Sequence, residues 1–172
     1  MNKPYSILFL IDSLGEGGSE LALLILVRTL CKQDCSVSVF SFREPNRLSV
    51  AFSDAGATLY TPVAGVSESR LDAFIRLKHL MRKCYFDFLH ASSRNTSMFL
   101  GLGFMLPRHG HRVVTIQEVH FCRIPSLSGW QRIKERILLS ILYFTCDGFT
   151  TDSKANVADY NKYSSEMPVI YL

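Results

Sequence analysis

The sequence predicts an α/β domain: a parallel sheet with helices on both faces, in three α/β/α layers. Three observations predict it. Short apolar runs bounded by turn residues, beginning with Tyr5–Ile11, recur along the chain and have the length of buried parallel strands. Longer apolar segments free of Pro and Gly, the first of them Leu21–Leu30, alternate with these runs. A polar, glycine-rich turn, Asp12–Glu20, links the first strand to the first helix and opens a βαβ unit.

The elements follow in order. The first helix has Gly18 or Ser19 as its N-cap, and Glu20 suits the positive helix end. Cys35–Phe42 alternates and is rich in β-branched and aromatic residues, which reads as a second strand. Leu48–Ala55 is a short helix ended by Gly56, Thr58–Thr61 a third strand stopped by Pro62, and 62–68 a polar turn. Ser69–Tyr85 places Leu71, Phe74, Ile75, Leu77, Leu80 and Met81 at near-helical spacing, with arginines and lysines on the other face. Phe86–Ala91 is a fourth strand, Ser92–Thr96 a loop, and Ser97–Leu106 a short helix ended by Pro107. Arg112–Ile116 is a fifth strand, followed by a long loop, Gln117–Ser128. The helix Trp130–Tyr143 is basic at its start and apolar at its end, and its apolar residues nearly encircle that end. This pattern suits a buried core helix better than an interfacial one, which needs one apolar and one charged face. Gly148–Thr151, together with Phe144–Cys146, makes a sixth strand, Asp152 or Ser153 caps a helix to Lys162, and Pro168–Leu172 begins a seventh strand.

Composition bounds the function. The chain has 172 residues, 48% of them hydrophobic and 20% charged, enough for one compact domain or half of a larger enzyme. The apolar run Ile137–Phe144 is far short of the roughly 20 residues that cross a bilayer. The N-terminal run leads into Asp12 and Glu16 rather than a small-residue cleavage site, so it does not read as a signal peptide. Five cysteines without a CxxC pair argue against a metal centre and a disulfide framework. A net charge of +4 permits an anionic ligand or a lipid surface and is too dispersed to argue for nucleic acid.

In a doubly wound sheet, ligands sit beyond the C-terminal strand ends. Those ends are Asp12–Glu20, Phe42–Glu44, His90–Asn95, Gln117–Arg123 and Thr151–Ser153, and most polar residues of interest fall there. The glycine loop lacks a dinucleotide fingerprint, because Glu20 stands where the third glycine belongs, and it lacks the lysine of a P-loop. What remains is a set of bare amides at a helix N-terminus, able to receive a phosphate or carboxylate, or else glycines that merely permit a tight turn.

Four stretches in order resemble family 4 glycosyltransferases, the group 1 nucleotide-sugar transferases. The loop Asp12-Ser-Leu-Gly15-Glu-Gly17-Gly18-Ser-Glu20 resembles the family's Gly-Gly-x-Glu turn. Asp87-Phe-Leu-His90-Ala resembles its Asp-Val-Val-His-x-His strand end, and Val113-Val-Thr-Ile-Gln117-Glu118 its Val-Val-x-Thr-x-His strand end. Thr151-Asp-Ser153 with a following helix, then Val169-Ile-Tyr171, resembles the last step before the interdomain hinge.

The resemblance implies one Rossmann-like half of a GT-B architecture, with residues 1–172 as the single N-terminal, acceptor-side domain. It implies a retaining transfer with no metal and no cofactor beyond a nucleotide sugar as co-substrate, in polysaccharide or glycolipid synthesis. The implied catalytic positions are His90, Gln117 and His120, with Gln117 where many members have histidine. The substrate-binding positions are Gly15, Gly17, Gly18, Glu20, Arg94, Asn95, Glu118 and Ser153, and Arg123 is a further candidate for phosphate. His90 has a competing reading as a structural histidine, and Glu118 as a solvated loop carboxylate.

The implied partners are a sugar or lipid-linked acceptor and a donor-binding domain, or a partner chain, beyond Leu172. Peripheral contact with the inner face of the membrane from a cytoplasmic location and a homodimer are further expectations. Transition-state stabilisation needs both cleft walls, so the chain alone is expected to show little transfer. A split-enzyme subunit and a stand-alone anion-binding module are the other readings.

Overall fold

The computed structural model describes residues 4–44, 46–66, 68–93, 96–97, 99, 110–115, 128–151 and 169–171. Seven strands form one sheet in the order β3-β2-β1-β4-β5-β6-β7, every neighbouring pair parallel. They are β1 Ser6–Ile11, β2 Ser36–Ser41, β3 Thr58–Tyr60, β4 Phe88–Ala91, β5 His111–Thr115, β6 Gly148–Thr151 and β7 Val169–Tyr171. Each of the seven expected strands is present. The described helices are α1 Gly18–Lys32, α2 Ser49–Asp54, α3 Arg70–Lys83 and α4 Gly129–Thr145. The expected helices 97–106 and 153–162 and the loop 117–128 lie largely outside the described residues.

The order explains the layers. The chain winds outward from β1 to β3, returns to β4 beside β1, and winds the other way to β7. Right-handed crossovers then put the helices of the two halves on opposite faces. One core joins Leu23, Leu24 and Val27 of α1 and Phe52 of α2 to Ile7, Phe9, Ile11, Val37 and Val39. The other joins Phe74, Leu77 and Met81 of α3 and Leu142 of α4 to Leu8, Leu10, Phe40, Leu89 and Phe149. Alternate residues of β1 thus enter different cores, which is why this strand is continuously apolar.

Local chemistry sets the helix ends. Ser69 and Asp72 form a reciprocal capping box at the start of α3: the Ser69 hydroxyl accepts from the Asp72 amide at 3.2 Å, and the Asp72 carboxylate from the Ser69 amide at 3.3 Å. The first helix starts one or two residues earlier than its sequence suggests, with Gly17 as N-cap in place of Gly18 or Ser19 and no side-chain cap. Phe144 and Thr145 end α4 rather than opening β6, because the chain keeps helical hydrogen bonding until the Cys146 amide donates to the Leu142 carbonyl at 2.8 Å.

The expectation of a buried core helix at Trp130–Tyr143 is corrected. Leu142 is buried, but Trp130, Ile133, Ile137, Ile141 and Phe144 face outward. The sheet takes one arc of the helix and leaves a second apolar arc uncovered.

Candidate functional site

The winding reverses between β1 and β4, so the crevice of this sheet lies beyond the C-terminal ends of those two neighbours. The loop after β1 is fixed from below. Leu14 is fully buried, its carbonyl accepts from the Leu48 amide at 3.0 Å, and the Asp12 carbonyl accepts from the Arg43 amide at 2.9 Å. Arg43 and Arg47 also face Asp12 and Glu16 at 3.7 and 3.3 Å. These exposed pairs contribute little stability, but they set arginines around the loop.

Above this anchor, Gly17 and Gly18 open α1 exposed to solvent. Neither needs glycine for its backbone: Gly17 has φ −78°, and the positive-φ glycines among the described residues are Gly56, Gly65 and Gly110. No atom stands within 4 Å of where a Gly18 Cβ would be. The tight-turn explanation therefore does not account for this pair. Glu20 folds back, taking a 2.7 Å hydrogen bond from the Ser19 hydroxyl, and its carboxylate lies 2.5 Å from where a Gly17 Cβ would stand. Gly15 is buried beside Ser13 and Glu20 with room for ordinary contact.

The end of β4 supplies a second polar corner, in which sequence reading did not single out Ser92, Ser93 and Thr96. Ser92 donates to the Leu10 carbonyl from both its amide, at 3.0 Å, and its hydroxyl, at 2.9 Å, tying β4 to β1 at the crevice. Ser93 and Thr96 cap each other: the Ser93 hydroxyl accepts from the Thr96 amide at 3.2 Å, and the Thr96 hydroxyl from the Ser93 amide at 3.0 Å. A Ser-x-x-Thr spacing after a strand was the available signal, a capping box with threonine in the usual place of glutamate.

His90 lies within β4, between Phe9 of β1 and Val113 of β5 in register. Its ring is edge-on to Phe9 at 5.1 Å, and its Nε2 is 3.1 Å from the Thr150 hydroxyl of β6. Burial pushes its pKa down to about 4, so the ring is neutral near pH 7. The ring is thus enclosed among β1, β5 and β6 near the C-terminal end of β4. Of the other sequence-derived positions, Arg94, Asn95, Gln117, Glu118, His120, Arg123 and Ser153 lie outside the described residues.

Arg76 of α3 clamps the neighbouring edge. Its guanidinium makes two 2.9 Å bonds to the Glu68 carboxylate, donates to the carbonyls of Ser41 at 2.8 Å and Tyr60 at 3.1 Å, and stacks 4.0 Å from the Phe40 ring centroid. It is fully engaged in holding the strand ends and is not a free phosphate ligand. Among the described residues no group of three or more His, Cys, Asp or Glu could hold a metal ion.

The family model for Glycosyltransferase Family 4 matches residues 16–171. The chain belongs to glycosyltransferase family 4. It is an N-terminal domain of GT-B type, with the Rossmann-like fold that the sheet order displays. The crystal structure of Anabaena HepE in complex with UDP and glucose is similar, with a TM-score of 0.69 and 16% sequence identity. That match covers 97% of this glycosyltransferase domain and 44% of HepE, so the domain spans less than half the length of that protein. A comparison with curated proteins gave no match. At this identity the likeness to HepE speaks for the fold. Family membership rests on the family model, whose match begins at Glu16 within the glycine loop and takes in the C-terminal ends of the strands from β2 to β6.

Proposed function

We propose that this chain is the acceptor-binding half of a retaining, nucleotide-sugar-dependent glycosyltransferase of polysaccharide or glycolipid synthesis. The observation that carries the reading is the Gly17–Gly18 opening of α1 at the switch point: exposed, with open space at Gly18, and not demanded by positive backbone torsion. Bare amides at a helix N-terminus stabilise negative charge. A sugar-nucleotide diphosphate, or a phosphate of the acceptor, is the anion that family membership supplies.

In this reading the loop after β1 receives phosphate through backbone amides. Glu20 limits how a second negative group can approach. By family resemblance, acceptor binding is assigned to the residues that follow β4, β5 and β6 in sequence: Arg94 and Asn95, Gln117, Glu118 and His120, and Ser153. Gln117 cannot titrate, so it orients by hydrogen bonding, and proton transfer falls to His120 or to the substrate. His90 supports this floor by linking β4 to β6 across β5. The nucleotide sugar is held mainly by a second domain, and no metal is needed.

The 172-residue chain is expected to give no sustained turnover with nucleotide sugars and candidate acceptors, and transfer should appear once a donor-binding domain is supplied, in the same chain or in trans. Sustained turnover by this chain alone would overturn the division of labour.

A further inference from the structure

The outward arc of α1 is apolar at one end and basic at the other. Leu21, Ala22, Ile25, Arg28, Thr29 and Lys32 are exposed at helical spacing, Leu21 at 45% and Ile25 at 65%. Leu23, Leu24 and Val27 fill the core beneath, so Leu21 and Ile25 do not serve it. The Thr29 hydroxyl is spent on the Ile25 carbonyl at 3.0 Å. Beside α1, Val50 of α2 is 69% exposed, while Phe52 of that helix enters the common core. Apolar side chains gathered on the outer side of one layer form a surface to be covered.

The charges indicate the occupant. Glu20 stands in the first turn of α1, and Arg28 and Lys32 stand in its second half. Among the described residues Arg28 and Lys32 have no acidic partner and Glu20 has no basic one; the ion pairs there are Arg43–Asp12, Arg47–Glu16 and Arg76–Glu68. Glu20 and Arg28 lie about 12 Å apart along the axis at the helical rise, too far to meet within one helix. A second copy laid antiparallel removes the mismatch. Setting Leu21 of each copy against Ile25 of the other packs apolar on apolar. The same register brings Arg28 level with Gly18 of the other copy, next to its Glu20. Opposed helix dipoles favour this arrangement. A surface of single sign would repel one end of the arc, whereas a second copy matches both. No helix among the described residues is long and apolar enough to cross a membrane.

We propose that the chain self-associates as a two-fold dimer through α1, with Leu21 and Ile25 of each copy packed against those of the other and Arg28 of each paired with Glu20 of the other. The contact is isologous, the same patch serving both copies, so it closes at two. One helix pair makes a small interface, so the dimer forms reversibly. The proposal stands apart from the transferase reading, since it rests on the outer arc of α1 and needs no bound anion.

Sedimentation velocity of the full 172-residue chain over a wide range of concentration should show a monomer–dimer equilibrium, weakened by salt. Ile25→Glu puts a charge into the apolar contact and should raise the dissociation constant about tenfold or more. Thermal unfolding at low concentration should not change, because the side chain is exposed in the single copy. Arg28→Glu should weaken the dimer as well, and adding Glu20→Lys should restore it, because the swapped charges meet only across the two-fold axis. A monomer at every concentration overturns the proposal. So does a dimer that Ile25→Glu leaves intact, which places the contact on another face. A double swap no better than Arg28→Glu alone overturns it too, since the helices are then not paired antiparallel.

Discussion

Replacing Gly110 by alanine is expected to lower the unfolding free energy by about 3 kcal/mol or more. Gly110 has φ +56°, in the left-handed region, and a Cβ there would run into the backbone carbonyl oxygens of Phe86 and Asp87. Those carbonyls belong to the segment that aligns three strands and cannot turn aside. The Asp87 carbonyl accepts from the His111 amide at 2.7 Å, the Asp87 amide donates to the Ser6 carbonyl at 2.8 Å, and the Asp87 carboxylate accepts from the Ser6 amide at 2.7 Å. Moving this segment loosens β1, β4 and β5 together at their N-terminal ends. Gly65 is the comparison: its φ is +75°, but nothing lies within 4 Å of its Cβ position. Gly65→Ala should therefore cost only the torsional strain, about 1 kcal/mol. Urea unfolding of the two variants measures the difference, and equal losses would show that the carbonyl contact adds nothing.

Acid should destabilise the domain through His90. Its folded pKa is lowered from 6.5 to about 4 by burial, so the native chain binds fewer protons than the unfolded chain between those values. The stabilisation from keeping this ring neutral is complete above pH 6.5 and is lost as the pH falls toward 4. Over that window the loss amounts to about 3 kcal/mol. Unfolding free energy measured across pH 4–7 should show this slope, and His90→Gln, which cannot titrate, should flatten it while lowering stability near pH 7. An undiminished slope in the variant would assign the acid lability to other groups.

The sheet was legible in the sequence because a strand buried on both faces is a short apolar run with turn residues at each end. Seven such runs stand in the chain, and all seven pair. Boundaries were less legible. Phe144-Thr145-Cys146 has the residue types of a strand, and only helical hydrogen bonding back to Leu142 decides that Phe144 and Thr145 belong to α4. Helix α4 misled for a related reason. Its apolar residues do nearly encircle the end, but which arc meets the sheet depends on how the helix sits on β5 and β6, and sequence spacing does not carry that. His90 could be placed at the end of a strand, yet its partners, Phe9 and Thr150, are fixed by the register of strands 60 and more residues apart. The glycine loop was the most legible part of the site. The structure adds that its glycines are not a response to strain.

The most direct test follows the backbone amides of the isotopically labelled chain by nuclear magnetic resonance as pyrophosphate is added. Shifts concentrated at Gly17, Gly18 and Ser19 are predicted, and Gly18→Val should abolish them without unfolding the domain, since its side chain enters open space. Shifts centred on other residues, or binding that survives Gly18→Val, would contradict an anion site at the opening of α1.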